Sequence, residues 1–212
     1  MENNSRGHLC FGWNIFLFNM KKESRCDWCL SHPIYIKYHD EEWGRAVHDD
    51  RTLFEFLILE GAQAGLSWLT ILKRRAGYKK AFKNFDVKKV SMMKNSEINN
   101  LLKNEEIIRN RLKIESTVSN AKAFLKIQKE FGSFDNYIWS FTKGKTIVNH
   151  PKKLKDLKPK SLLSDEISAD LKKRGFRFVG STIIYAYLQA VGIIEDHLDS
   201  CCVKKLVSVL KR

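Results

Sequence analysis

The segment Ser181 to Ile194 limits the architecture more than any other stretch, because it is apolar on nearly every side: Ile183, Ile184, Tyr185, Ala186, Tyr187, Leu188, Ala190, Val191, Ile193 and Ile194. A helix with no polar stripe must be surrounded by protein. At 14 residues it is too short for a bilayer, which needs about 20, so it is expected at the centre of a core. Elsewhere from Thr52 onward apolar residues recur at helical spacing, and alternating Val/Ile/Thr runs are scarce. The expected body is all-α. Helices are expected over 52–64, 66–82, 96–103, 112–130 and 181–194, with weaker patterns near 87–94, 134–140 and 164–174. Pro33, Pro151 and Pro159 all fall in stretches that read as loops. Residues 1–21 stand apart as a poorly ordered extension, aromatic and apolar from Leu9 to Phe18, and residues 22–212 form a single domain.

Charge narrows the partners. The chain carries 38 Lys+Arg against 24 Asp+Glu, a formal charge of +14 spread along its whole length, which favours a nucleic acid partner over an acidic membrane surface. Five cysteines, an odd and sparse number for 212 residues, argue for a reducing compartment and against a disulfide-stapled module.

Three constellations carry possible chemistry. At about 100° per residue, Glu60 lies about 140° round the helix from the polar Glu55 and between Phe56 and Leu53, on the apolar side. A carboxylate there must be paired, neutralised or turned to a cavity. It precedes Gly61-Ala62-Gln63-Ala64-Gly65-Leu66-Ser67-Trp68, where small residues leave either a space beside an aromatic ring or a close helix contact. Secondly, Cys26 and His39 near the start, with His197 and Cys201 near the end, suit a closed tetrahedral zinc site. A site drawn from Cys26, Cys29, Cys201 and Cys202, a redox Cys26-x-x-Cys29 pair and unliganded cysteines are the competing readings. Thirdly, Glu106 to Ile114 reads as a basic hairpin whose Arg109, Arg111 and Lys113 can meet phosphate, or as an ordinary interhelical turn. Lys172 to Gly180 mixes bases and aromatics in the same ambiguous way.

Taken in order, Cys26-Asp27-Trp28, the run Tyr35 to Gly44, the run Leu59 to Trp68 and His197-x-x-x-Cys201 resemble the bacterial DNA-3-methyladenine glycosylase I family. The resemblance runs from about Cys26 to Cys201. It implies an all-α fold of the helix–hairpin–helix superfamily with one structural zinc per chain, joining the N- and C-terminal segments through Cys26, His39, His197 and Cys201. It places the family's pocket acid on Glu60, the enclosing aromatics on Tyr38 and Trp68, and Trp28 and Trp43 in the surrounding wall. Cys29 has no counterpart among the ligands. The implied activity is monofunctional hydrolysis of 3-methyladenine from duplex DNA by a cytoplasmic, nucleoid-associated, monomeric bacterial enzyme. The alternative is a zinc-stabilised lesion-binding protein without turnover. Glu106 departs from the family's usual glycine in the hairpin and keeps that alternative open.

Overall fold

The computed structural model describes residues 24–204, so the extension expected at 1–21 lies outside the described residues. The helices are α1 (Pro33–Glu41), α2 (Asp50–Gln63), α3 (Trp68–Leu72), α4 (Arg75–Ala81), α5 (Val87–Ser91), α6 (Asn95–Leu101), α7 (Arg111–Phe131), α8 (Phe134–Ser140), α9 (Leu162–Lys173) and α10 (Ser181–Ala190). Two short strands, β1 (Ile147–Val148) and β2 (Ile194–Glu195), pair in parallel. The all-α expectation holds apart from this ribbon.

The apolar helix α10 lies between α9 and α2, as its uninterrupted hydrophobicity requires. The 21-residue α7 packs across α5, α8 and α2, and Phe124 stacks on Phe134 at 4.1 Å between ring centroids. Asp50 orients α2 against this assembly. Its carboxylate accepts the backbone N–H groups of Phe134 and Asp135, at 2.9 and 2.8 Å, satisfying donors that α8 leaves unpaired at its N-terminus.

Three boundaries differ from expectation. Pro33 does not lie in a loop: it starts α1, with the His32 ring accepting the Ile34 N–H, a position where the missing proline N–H costs nothing. The pattern over 66–82 splits into α3 and α4, and the new direction brings Gly77 against the 102–110 turn. A Cβ on Gly77 would lie 2.4 Å from the Glu106 carbonyl oxygen. The apolar run 181–194 leaves the helix after Ala190, because Gly192 adopts φ +72° where a Cβ would stand 2.2 Å from the Arg45 backbone. Its last residue, Ile194, begins β2.

The chain ends of the described region meet. Ser24 bridges Cys201, and the Cys202 N–H donates to the Ser24 carbonyl at 3.1 Å.

Candidate active site

Glu60 occupies the third turn of α2, whose start is fixed by the Asp49 side chain accepting the Thr52 N–H. The carboxyl is 3% exposed, and its Oε2 has neither a hydrogen-bond partner nor an ion pair among the described residues. Burial pushes its pKa up from 4.5 to about 8, so at neutral pH the group is mainly protonated. It borders a cavity of about 260 Å³, just under the roughly 300 Å³ at which pockets for drug-sized ligands begin. That size suits a single flat heterocycle.

The walls are aromatic. Tyr38 on α1 and Trp68 at the start of α3 stand 5.4 Å apart with their rings inclined by 57°. Ser67 accepts the Thr70 N–H and so fixes where the Trp68 helix begins. Trp28 meets Trp43 edge-on at 5.0 Å, and both rings line the cavity. Tyr35, Gln63, Ala186, Gln189, Leu154 and Leu157 complete the lining. Trp68 Nε1 is a second buried polar atom without a partner. Buried groups left unpaired at one cavity are what a ligand's polar edge would satisfy. Burial first, and the nearby Glu60 second, raise Tyr38 well above the usual phenol range and keep it neutral. The small residues after Glu60 serve two purposes. Gly61 approaches Phe178 closely, with a Cβ placed 3.3 Å from it, whereas Gly65 at φ +77° turns the chain into open space.

The predicted hairpin joins α6 to α7. Arg109 and Arg111 are exposed and pair within one turn to Glu105 and Glu115, at 3.2 and 3.4 Å. Lys113 behaves differently from its sequence reading. Its ammonium donates to the carbonyls of Ala62 and Ala64, at 2.8 and 2.7 Å, capping the C-terminal end of α2 three residues beyond Glu60. It is thus engaged by protein and not presented freely to a phosphate. Glu106 reaches Lys80 at 3.2 Å and takes no left-handed backbone, so this position does not call for a glycine. In the segment 172–180, Arg174 lies against Phe131 and Tyr137 and pairs with Glu130 and Asp170, a structural use of its charge.

Behind the aromatic wall lies a buried group of Cys26, His39 and Cys201, whose ligand atoms fall within 4.8 Å of one another. It could hold a metal. Cys201 Sγ and His39 Nε2 are 3.5 Å apart, close to the edge of a tetrahedron with bonds of about 2.0–2.3 Å. His197 adds a ring 4.8 Å from that of His39, and its buried Nε2 has no partner. Both histidines are oriented from behind: His39 Nδ1 by Asp40 at 2.8 Å, and His197 Nδ1 by Glu195 at 2.5 Å. Carboxylates hold the far ring nitrogens, while the near one of His39 faces the Cys201 thiol and that of His197 is unpaired, which is the arrangement of metal-binding histidines. The neighbouring Cys26 thiol, opposed by burial and helped by the His39 ring, holds Cys201 below the ordinary thiol range. Cys29, which the resemblance leaves without a counterpart among the ligands, is fully buried and helps to raise the pKa of the His39 ring. Trp28 and Trp43 touch His39, and Trp43 touches His197 at 4.5 Å, so the cysteine–histidine cluster and the cavity share a wall.

Sequence reasoning missed Tyr35, although it stands three residues before Tyr38 on α1, and Gln189, although it lies on the helix identified as central. Recognising α1 as a helix would have found the first; the second depends on how α10 crosses α2.

Comparison with known proteins agrees with this geometry. Residues 28–205 match the methyladenine glycosylase family. The chain is 46% identical over 178 residues to the DNA-3-methyladenine glycosylase of Haemophilus influenzae, covering 84% of this chain and 96% of that one. It is 42% identical to DNA-3-methyladenine glycosylase 1 of Escherichia coli, covering 84% and 95%. A crystal structure of a 3-methyladenine DNA glycosylase I variant in complex with 3-methyladenine superposes with TM-score 0.83 at 36% identity, covering 85% of this chain and 97% of that one. With a buried unpaired acid in an aromatic cavity and matches that span most of its length, the chain belongs to the methyladenine glycosylase family.

Proposed function

We propose that the protein is a DNA-repair glycosylase that draws 3-methyladenine out of duplex DNA into the Glu60 cavity and hydrolyses its N-glycosidic bond. The observation that carries this reading is the carboxyl of Glu60, buried without a partner and facing a ring-walled cavity of base size. An internal ion pair would have removed it from chemistry.

Methylation at N3 leaves the nucleotide's purine positively charged. Entry of that cation favours the ionised form of Glu60, which accepts hydrogen bonds from the base edge, while a neutral adenine offers no such compensation for a buried charge. Tyr38 and Trp68 stack on the base, and Trp28 and Trp43 close the wall behind it. Water forms a bond to the sugar C1′ as the C1′–N bond breaks. The bonding pair passes to the purine, which departs neutral, and the water's proton goes to solvent. The leaving group needs no strong acid. No lysine lines the cavity among the described residues, in keeping with a monofunctional hydrolase that leaves an abasic site and forms no Schiff base.

Arg109 and Arg111, on a helix–hairpin–helix element formed by α6, the turn and α7, would hold the DNA backbone. Cys26, His39, His197 and Cys201 would hold one structural zinc, which when bound cross-links the two ends of a single domain over residues 22–212. The proposed setting is the bacterial cytoplasm, where the enzyme acts as a monomer on the nucleoid. The test is chromatography of bases freed from methylated duplex DNA. Glu60→Gln should reduce 3-methyladenine release at least tenfold, and 7-methylguanine should be released much more slowly by the unaltered protein.

A further inference from the structure

A second basic segment lies between β1 and α9, away from the hairpin in sequence. Residues 152–160 read Lys-Lys-Leu-Lys-Asp-Leu-Lys-Pro-Lys, with five lysines against one acid. That acid is turned back on its own loop: the Asp156 carboxylate accepts the N–H groups of Lys152 and Lys153, at 3.1 and 2.9 Å, closing the turn Leu154–Asp156. Lys160 pairs with Asp165 at 3.6 Å. Lys152, Lys153, Lys155 and Lys158 are exposed and make no ion pair among the described residues.

Both ends of the segment are pinned. The Pro151 carbonyl accepts the Asp199 N–H at 2.9 Å, Asn149 donates to Asp196 at 2.7 Å, and Ser161 caps α9. Between these anchors Leu154 and Leu157 line the Glu60 cavity, and Leu154 is still 47% exposed. The loop that carries the four unpaired ammonium groups therefore forms part of the rim of that cavity through its two leucines, and Lys158 itself borders a neighbouring cavity that shares Leu157. Phosphates of a strand whose base enters the cavity pass the same rim, since a flipped nucleotide stays attached on both sides.

We propose that residues 152–158 form a second DNA-backbone contact, in which Lys152, Lys153, Lys155 and Lys158 engage phosphates flanking the extruded nucleotide. This rests on the glycosylase reading. Its energetic signature is counterion release, worth a slope of about 0.9 in log K against log salt for each phosphate neutralised.

The test uses the full chain with all four lysines changed to serine, and duplex DNA bearing a stable abasic-site analogue, titrated between 50 and 200 mM NaCl. A charge-matched control changes the exposed Lys88, Lys122, Lys126 and Lys129 to serine. The loop variant should lower the slope by about 3.6 and the control by less than about 1. An unchanged slope, or an equal fall in both variants, would overturn the proposal. Absence of 3-methyladenine release from the unaltered protein would instead overturn the parent reading, because the slope is measured without turnover.

Discussion

Replacing Glu60 with glutamine should strengthen the fold while disabling the reaction. The side chain keeps its size and buried polar atoms, and loses only the ability to ionise. In the folded protein the carboxyl ionises at about 8 against an ordinary value of 4.5, because burial penalises the anion. A group whose folded pKa is raised contributes its stability below the unfolded value and loses it as pH climbs through the folded one. Between pH 4.5 and 8 the unfolded chain releases a proton that the folded chain retains, so this residue alone costs about 1.4 kcal/mol per pH unit across that window. Relative to the unaltered protein, Glu60→Gln should gain almost nothing at pH 4.5 and about 3 kcal/mol at pH 7, with the gain levelling off above pH 8. Urea unfolding of both proteins at pH 5, 6, 7 and 8 in constant salt measures this difference directly. A stability gap that stays flat across the series, or a variant less stable than its parent at pH 7, would refute the inference that the carboxyl is buried without a partner.

Other outcomes follow from the same geometry. If the ionised form of Glu60 receives the cationic base, kcat/KM for excision should rise with pH and level off above about pH 8, and a profile falling from pH 6 to 8 would reverse that assignment. Lys113→Met should lower stability by about 1–2 kcal/mol through loss of the α2 cap yet leave the salt dependence of DNA binding unaltered; a slope reduced by about 0.9 would instead return Lys113 to the phosphate contacts. Metal analysis should give one zinc per chain. Cys201→Ser should lower zinc content and the unfolding midpoint while leaving excision per folded molecule within a fewfold, whereas Cys29→Ala should keep the zinc.

Glu60 was legible because one polar residue on an apolar helix face is an anomaly that angular arithmetic exposes without tertiary information. That Cys26 and His39 would meet Cys201 was legible for a similar reason: side chains capable of binding metal gathered at the two ends of the body. What the sequence hid was direction. Lys113 and Arg111 carry the same charge two residues apart, yet one turns back to the α2 carbonyls and the other faces solvent, a difference that only the position of α2 decides. Proline misled at Pro33, where the first turn of a helix looks locally like a loop. The run 181–194 could not reveal its own end, since Gly192 breaks the helix through its contact with Arg45, far away in the chain. Leu154 and Leu157 carry no signal of a base cavity either. They reach it because Asn149 and Ser161 fix where their loop begins and ends.

Chromatography of the bases freed from methylated duplex DNA tests the central claim most directly, with the unaltered protein run beside Glu60→Gln and Trp68→Ala. The account predicts prompt release of free 3-methyladenine by the unaltered protein, and release slowed at least tenfold by each substitution. No free 3-methyladenine from the unaltered protein, or unchanged rates in both variants, would contradict it.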